Sequence, residues 1–392
     1  MNNVERNQYR KLKLCDAHVH HSNPVPLELT TTKFREIMQY FSLDRIALMA
    51  TITNSTREDL GTNLKSLYIK DVLNAEKPDS VYFYANVRQA LDHRDTADGF
   101  LNQVKTLYEM GADGFKFLDG KPNMRKRSQR ALDDPIFDKM YAFLEENQNP
   151  VTIHIADPVI FRKDISLLSD YEVQHGWFLG DDKTYPTFEQ LHEELNGILV
   201  KFPKLKLCVA HCGGYLSHDI EALTAFMERW ENVSIDLTPG PSIFVDLSQN
   251  RDAWRAFFKK YSKRVFFGTD TENMPIKGDD LSKYESPYLV NMVRRALEKS
   301  AEESFEIRLG KIVPLDLDDD TLADIYFENH KRLHPHARPL NYYLIAAQAS
   351  EFLTALKNGT EKHVDEQEHI LETENAAMVL EHFLKITKGY ML

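Results

Sequence analysis

The feature of this chain that most constrains its fold is an alternation of strand-like and helix-like segments that repeats eight times before residue 270. The strand-like segments are together rich in Val, Ile and Leu, and they alternate with segments whose apolar residues fall at helical spacing. Because the connections lack the two-residue turns of hairpins, we expect parallel strands joined by right-handed crossovers. The predicted strands cover residues 12–19, 45–53, 81–87, 114–118, 150–156, 205–211, 233–237 and 264–267.

Eight such units close most readily into an α/β fold of the (β/α)8 TIM barrel type. An open doubly wound sheet is the alternative, but it favours a glycine-rich turn after the first strand, where this chain has histidines. Residues 1–333 are therefore predicted to form the barrel domain. Residues 334–392 are predicted to form additional C-terminal helices that pack on the barrel or against a partner subunit.

The charge and composition of the chain bear on the partners it binds and on its cellular compartment. The chain has 392 residues and a formal net charge of -12, which disfavours binding to nucleic acid or anionic membranes. Its three cysteines, Cys15, Cys208 and Cys212, form neither an even disulfide set nor a Cys-x-x-Cys pair. The N-terminal residues lack the apolar core of a signal peptide, and no apolar run is long enough to cross a bilayer. We therefore expect a cytoplasmic protein.

A histidine pair lies at the end of the first predicted strand. Side chains two residues apart on a strand point to the same face, so His18 and His20 would offer two imidazoles to one ion. An isolated pair of this kind is more often structural. Here, however, further candidates follow at the ends of later strands, which meet at one rim of a barrel: His154, His211 and Asp270. This set favours a divalent transition metal, Zn²⁺ first, with Mn²⁺, Fe²⁺ and Co²⁺ as alternatives.

Four segments, residues 16–20, 150–154, 207–214 and 264–270, carry a resemblance to a known family. They are similar to the strand-one, strand-five, strand-six and strand-eight motifs of the amidohydrolase superfamily. The branch they resemble is the amidohydrolase-related one that includes amino-carboxymuconate-semialdehyde decarboxylase. The resemblance implies one metal ion held by His18, His20, His154 and Asp270. It also implies Asp270 as the proton shuttle and His211 as the residue that orients the substrate or accepts a proton.

The metal chemistry and the resemblance predict a metal-dependent hydrolase, in which activated water attacks a carbonyl-type carbon of a small molecule. The alternative is a lyase, a non-oxidative decarboxylase of a small carboxylic acid that uses the same site. A barrel that has lost catalysis ranks last, because its expected sign is a missing ligand and the motifs retain them all.

The residues predicted to contact substrate are less constrained. Some superfamily members carry a carboxylated lysine on strand four that bridges two metals, but an ion-paired or substrate-facing role is favoured for Lys116. Arg88, at the end of the third strand, favours a carboxylated substrate. Trp177 either lines the pocket or packs ordinarily.

A basic run after strand four either holds a carboxylate or, as we favour, forms a solvated face; it comprises Lys121, Arg125, Lys126, Arg127 and Arg130. Homo-oligomerisation is left open.

Overall fold

The computed structural model describes residues 9–21, 25–51, 61–88, 95–174, 176–240, 242–272, 285–360 and 366–389. Within them, eight parallel strands follow one another in sequence order around a nearly closed barrel. These strands are β1 Cys15–His20, β2 Arg45–Met49, β3 Val81–Ala85, β4 Gly114–Gly120, β5 Val151–Ile155, β6 Leu207–Val209, β7 Val233–Asp236 and β8 Val265–Phe266. The predicted (β/α)8 barrel is confirmed.

The barrel closes between its first and last strands. β8 is followed by β9 (Thr271–Glu272), which pairs in parallel with β1. The amide of Ala17 donates to the carbonyl of Phe267 at 2.9 Å, and the amide of Asp270 donates to the carbonyl of His18 at 2.9 Å. The segment that carries Asp270 is therefore held against the strand that carries His18.

Helices surround the barrel and bury its outer face. Every residue of β2, β3 and β5 is buried, as expected for parallel strands covered by helices. The ends of the third helix, Ala97–Met110, follow from its sequence: the Thr96 side chain caps its start, and Gly111 ends it in the left-handed conformation. The helices before residue 262 are α1 Leu27–Phe41, α2 Gly61–Glu76, α3 Ala97–Met110, α4 Pro122–Ser128, α5 Asp138–Glu146, α6 Asp170–Gln174, α7 Phe188–Lys201, α8 Ile220–Arg229, α9 Ile243–Gln249 and α10 Arg251–Tyr261.

The chain beyond the barrel strands is mostly helical. It contains α11 Glu285–Glu298, a hairpin of β10 Phe305–Ile307 and β11 Gly310–Ile312, α12 Asp319–Ala323, a π-helical turn Asp324–Glu328, α13 Asn329–Leu333, α14 Tyr342–Lys357 and α15 Glu366–Gly389. No helix in the described ranges combines the length and the apolar character needed to cross a membrane.

The C-terminal helices α14 and α15 pack against each other and against α2 of the barrel. A buried ion pair joins Lys65 of α2 to Glu372 of α15 at 2.7 Å. Asp71 of α2 accepts a hydrogen bond from the Tyr342 hydroxyl at 3.1 Å and lies 2.7 Å from Nε2 of His382. The two helices therefore cover one side of the barrel, and contact with a partner subunit stays a prediction.

All the barrel strands except β4 are shorter than predicted, and the second and sixth differ most. The second ends at Met49 instead of residue 53, and residues 52 and 53 lie outside the described part of the chain. The sixth ends at Val209, because the backbone turns left-handed at His211. His211 therefore stands beyond the strand, above the rim of the barrel.

Candidate metal centre

Three side chains converge at the carboxyl end of the barrel. The Nε2 atoms of His18 and His20 lie 3.1 Å apart. Asp270 Oδ1 lies 3.0 Å from Nε2 of His20 and 3.5 Å from Nε2 of His18. Both histidines are buried, whereas the Asp270 side chain is 37% exposed at the mouth of the barrel. Within the described residues, these three form the one group of His, Cys, Asp or Glu side chains close enough together to hold a metal ion.

The spacing of these three atoms fits a transition-metal ion. Atoms bound roughly 2.0–2.1 Å from one zinc ion lie roughly 3.0–3.4 Å from each other. The observed separations are 3.0, 3.1 and 3.5 Å. Two imidazoles and one carboxylate also match the donor set of catalytic zinc sites, which leave a position open for water or substrate. The cluster could therefore hold one divalent ion.

Asp236, the last residue of β7, sets the orientation of His18. Asp236 Oδ2 lies 2.8 Å from Nδ1 of His18, and since an ionised carboxylate only accepts, Nδ1 carries the proton. Nε2 then presents its lone pair to the cluster. Burial, helped by nearby Lys116, lowers the pKa of His18 to about 4 against the opposing effect of Asp236. The imidazole is therefore neutral at pH 7, which is the form that binds metal.

Asp270 sits at a backbone position that few residues adopt. Its φ is 58°, in the left-handed region that Asp tolerates better than most side chains. Burial alone would raise the pKa of Asp270, but the hydrogen bond to His20 and the neighbouring His18 and His211 hold it well below its ordinary value. The carboxylate is thus ionised at pH 7 and brings a negative charge to the cluster.

Lys116 of β4 points into the barrel at the same cluster. Its side chain is fully buried, and Nζ lies 3.0 Å from Nε2 of His18. Burial lowers the pKa of Lys116, while Asp270 and Asp236 act in the opposite direction. Because Nζ and a metal ion would use the same lone pair of His18, the two compete for it.

His211 is carried by a turn of left-handed backbone that spans residues 211–215. All five φ angles lie between 53° and 73°. Such a conformation costs about 1–2 kcal/mol for each residue with a side chain, and the Gly213–Gly214 pair reduces the total. The ring of His211 stacks on Tyr215 with centroids 4.9 Å apart, and its amide donates to Asp236 Oδ1 at 2.8 Å.

His154 lies beside the cluster but outside the group of three. Its Nε2 is 2.8 Å from the carbonyl oxygen of Ala156 and 3.3 Å from Asp157 Oδ1, so Nε2 carries the proton. Nδ1 therefore accepts from Nε2 of His211 at 3.1 Å. Burial lowers the pKa of both histidines. The sequence predicts His154 as a fourth ligand, whereas in the structure both of its ring nitrogens make hydrogen bonds to protein groups.

Comparison with known proteins places this arrangement in a family. A family model described as Amidohydrolase matches residues 15–335. The chain belongs to the amidohydrolase family. A comparison with curated protein sequences found no match.

Solved structures are similar to this chain at low sequence identity. An uncharacterized TIM-barrel protein from Bordetella bronchiseptica is 13% identical, with 83% of this chain and 99% of that one covered and a TM-score of 0.50. A structure described as an amidohydrolase II is 14% identical, with 82% and 99% covered and a TM-score of 0.51. A 2,6-dihydroxybenzoate decarboxylase is 13% identical, with 82% and 98% covered and a TM-score of 0.46. The first two likenesses support the barrel fold.

Two of the residues predicted to contact substrate lie on separate segments of the chain. Arg88 directly follows β3, where the Gln103 side chain bonds to its amide at 3.0 Å and its carbonyl at 3.1 Å. Trp177 lies in the segment between β5 and α7, where it packs on Phe161 in a small apolar cluster. Lys121 Nζ lies 5.0 Å from the Trp177 ring centroid.

Three of the five cations in the basic run after β4 form ion pairs within the protein. They pair with acidic side chains of the segment after β5 and of α7, at distances of 2.9 to 3.0 Å: Lys121 with Asp157, Arg125 with Glu194, and Lys126 with Asp182. These pairs hold the α4 region against its neighbours, a role that differs from both a carboxylate-binding loop and a freely solvated face.

Asp236 is the residue that sequence reasoning missed. It contacts both His18 and the amide of His211, and its side chain is buried. The signal was available, because Asp236 is the next-to-last residue of the predicted strand 233–237, and the same rule of polar residues near strand ends selects His154. Its four-residue strand, Val-Ser-Ile-Asp, carries no motif of the family resemblance.

Proposed function

We propose that this protein is a metal-dependent hydrolase of small molecules, with His18, His20 and Asp270 as the protein ligands of one divalent ion, Zn²⁺ first. The observation that carries the proposal is the convergence of their three donor atoms to within 3.5 Å at the mouth of the barrel. Membership of the amidohydrolase family supports it. An ion bound there supplies a Lewis acid that polarises a substrate carbonyl and acidifies water.

Asp270 is the proton shuttle in this proposal. Its carboxylate is ionised, partly exposed and beside both histidines of the cluster. It can therefore accept the proton of water that attacks an acyl-type carbon, and return that proton to the leaving group. The neutral, buried His18 keeps its lone pair available because Asp236 holds the proton on the other ring nitrogen.

His154 and His211 form a second proton-transfer group beside the cluster. Their rings are joined by the hydrogen bond of 3.1 Å between Nδ1 of His154 and Nε2 of His211. The remaining ring nitrogen of His211, Nδ1, lies 3.1 Å from the Thr238 hydroxyl, so His211 orients the substrate or accepts a proton from it by exchanging that contact for one to the substrate. Arg88 is proposed to bind an anionic group of the substrate, since its guanidinium can pair with a carboxylate in bidentate fashion.

The test is a substrate panel with metal removal and a matched variant. Zn²⁺-loaded protein is assayed on amides, lactones and esters of small acids, and in parallel for release of carbon dioxide from carboxylated compounds. We expect hydrolysis that is lost on chelation and lost in His20→Ala, while His336→Ala, at a highly exposed histidine, retains it. Hydrolysis that survives both chelation and His20→Ala would contradict the proposal. Carbon dioxide release without hydrolysis would replace the hydrolase with a lyase that uses the same cluster.

A further inference from the structure

We propose that Asp236 is a positioning residue with two separable tasks, one for each carboxylate oxygen: Oδ2 fixes the proton on His18, and Oδ1 holds the left-handed turn that carries His211. The inference rests on the proposed metal site for its consequence in catalysis. Its structural basis is independent of it, because every contact involved lies within the protein.

The first task concerns Oδ2. It lies 2.8 Å from Nδ1 of His18, and both side chains are 1% exposed or less, so water does not compete for the contact. With the proton held on Nδ1, Nε2 presents a lone pair beside His20 and Asp270, and Lys116 Nζ donates to that lone pair at 3.0 Å. A carboxylate that orients a metal-binding histidine in this way raises metal affinity.

The second task concerns Oδ1. Three donors converge on it: the amide of His211 at 2.8 Å, the amide of Thr238 at 3.2 Å and the Thr238 hydroxyl. The His211 amide belongs to the first residue of the left-handed turn, whose φ is 55°. Oδ1 therefore ties the strained end of the turn to β7 and places His211 relative to His18.

The two tasks can be separated by one conservative substitution. In Asp236→Asn, the three donors around Oδ1 require the amide oxygen on that side, since the amide nitrogen would only meet other donors. The amide nitrogen then faces Nδ1 of His18 and donates to it. The proton of His18 must move to Nε2, the atom that would bind metal, while the turn at His211 stays held. Asp236→Ala removes both contacts.

The experiment measures each task on its own. The ¹⁵N spectrum of histidine-labelled, metal-free protein reports which nitrogen of His18 is protonated, and hydrogen exchange reports protection of residues 211–215. Competition with a chromophoric chelator reports Zn²⁺ affinity. The control is Val233→Ala, which truncates a fully buried side chain of the same strand, three residues before Asp236.

We expect Asp236→Asn to move the His18 proton to Nε2 and to weaken Zn²⁺ binding about 10- to 100-fold, with normal protection of residues 211–215. Asp236→Ala should also lose the hydrogen-exchange protection of residues 211–215. Val233→Ala should keep the proton on Nδ1 of His18, the wild-type Zn²⁺ affinity and the protection of residues 211–215. If Asp236→Asn retains the Nδ1 proton and wild-type affinity, the first task is refuted. If it loses protection at 211–215, the second task is refuted.

Failure of this inference is distinguishable from failure of the proposed function. If the wild-type protein binds no Zn²⁺, the proposed function fails, yet the ¹⁵N and hydrogen-exchange measurements on metal-free protein still decide both tasks. If Asp236→Ala does not fold, Asp236→Asn carries the test alone, because its two readouts are predicted to move in different ways.

Discussion

Replacement of Lys116 by Met distinguishes a competitor of the metal from a ligand of the metal. The ammonium group donates to Nε2 of His18 at 3.0 Å, and this contact must break before an ion can bind that nitrogen. Met is apolar and similar in length, so Lys116→Met removes the donor while it fills most of the same volume. We therefore expect the variant to bind Zn²⁺ more tightly than the wild-type protein.

The size of the effect follows from the hydrogen bond that is lost. A hydrogen bond to a charged group contributes about 1.5–3 kcal/mol, and Lys116 is fully buried, so water does not replace it. Since about 1.4 kcal/mol corresponds to a factor of ten, affinity should rise by about 10-fold to 150-fold. Removal of a positive charge close to the bound dication acts in the same direction.

The assay is competition with a chromophoric chelator at fixed pH and ionic strength, accompanied by metal analysis. Lys65→Met is the matched control, because Lys65 is a second buried lysine and its ion-pair partner is Glu372 of α15. Its Zn²⁺ affinity should equal that of the wild-type protein. Weaker binding in Lys116→Met, or a fall from two equivalents of metal to one, would refute the competition and identify Lys116 as a ligand or a bridging group.

Three further predictions follow from the structure. Gly213→Ala should lower the free energy of unfolding by about 1–2 kcal/mol or more in urea titrations, because φ is +73° and a Cβ would lie 2.5 Å from Cδ1 of Leu223; an unchanged midpoint would contradict the left-handed turn. Burial lowers the pKa of His334 to about 3, so between pH 7.5 and 5.5 this histidine takes up a proton in the unfolded chain only, and the free energy of unfolding falls as the pH falls. His334→Gln should lose about 1.3 kcal/mol less over that range. Parallel curves of the free energy of unfolding against pH for the two proteins would contradict this. His154→Ala should keep one equivalent of Zn²⁺ and lose turnover about 100-fold or more, whereas loss of the metal would restore His154 as a fourth ligand.

The barrel was predictable because its signals are local and repeated. Val81–Ala85 is a continuous run of apolar and aromatic residues, and Val151–Ile155 is rich in β-branched residues, as expected for strands covered on both faces. The side-by-side placement of His18 and His20 follows from the two-residue period of a strand. The end of helix α3 at Gly111 was also predictable, because glycine adopts the left-handed backbone that ends a helix.

The parts of the site that were not predictable depend on contacts between distant segments. The side-chain orientation of His154 is set by Ala156, Asp157 and His211, and no spacing rule encodes which way an imidazole turns. The left-handed turn at His211 depends on an acceptor in another strand. Pairing of the basic run with Glu194 and its neighbours depends on how the helices and loops around the barrel pack.

The most direct test of the central claim is a zinc-edge anomalous difference map from crystals of the Zn²⁺-loaded protein. We predict a single strong peak within roughly 2.0–2.2 Å of Nε2 of His18, Nε2 of His20 and a carboxylate oxygen of Asp270. A map with no peak at these three atoms, or with its only peak elsewhere on the molecule, would contradict the account.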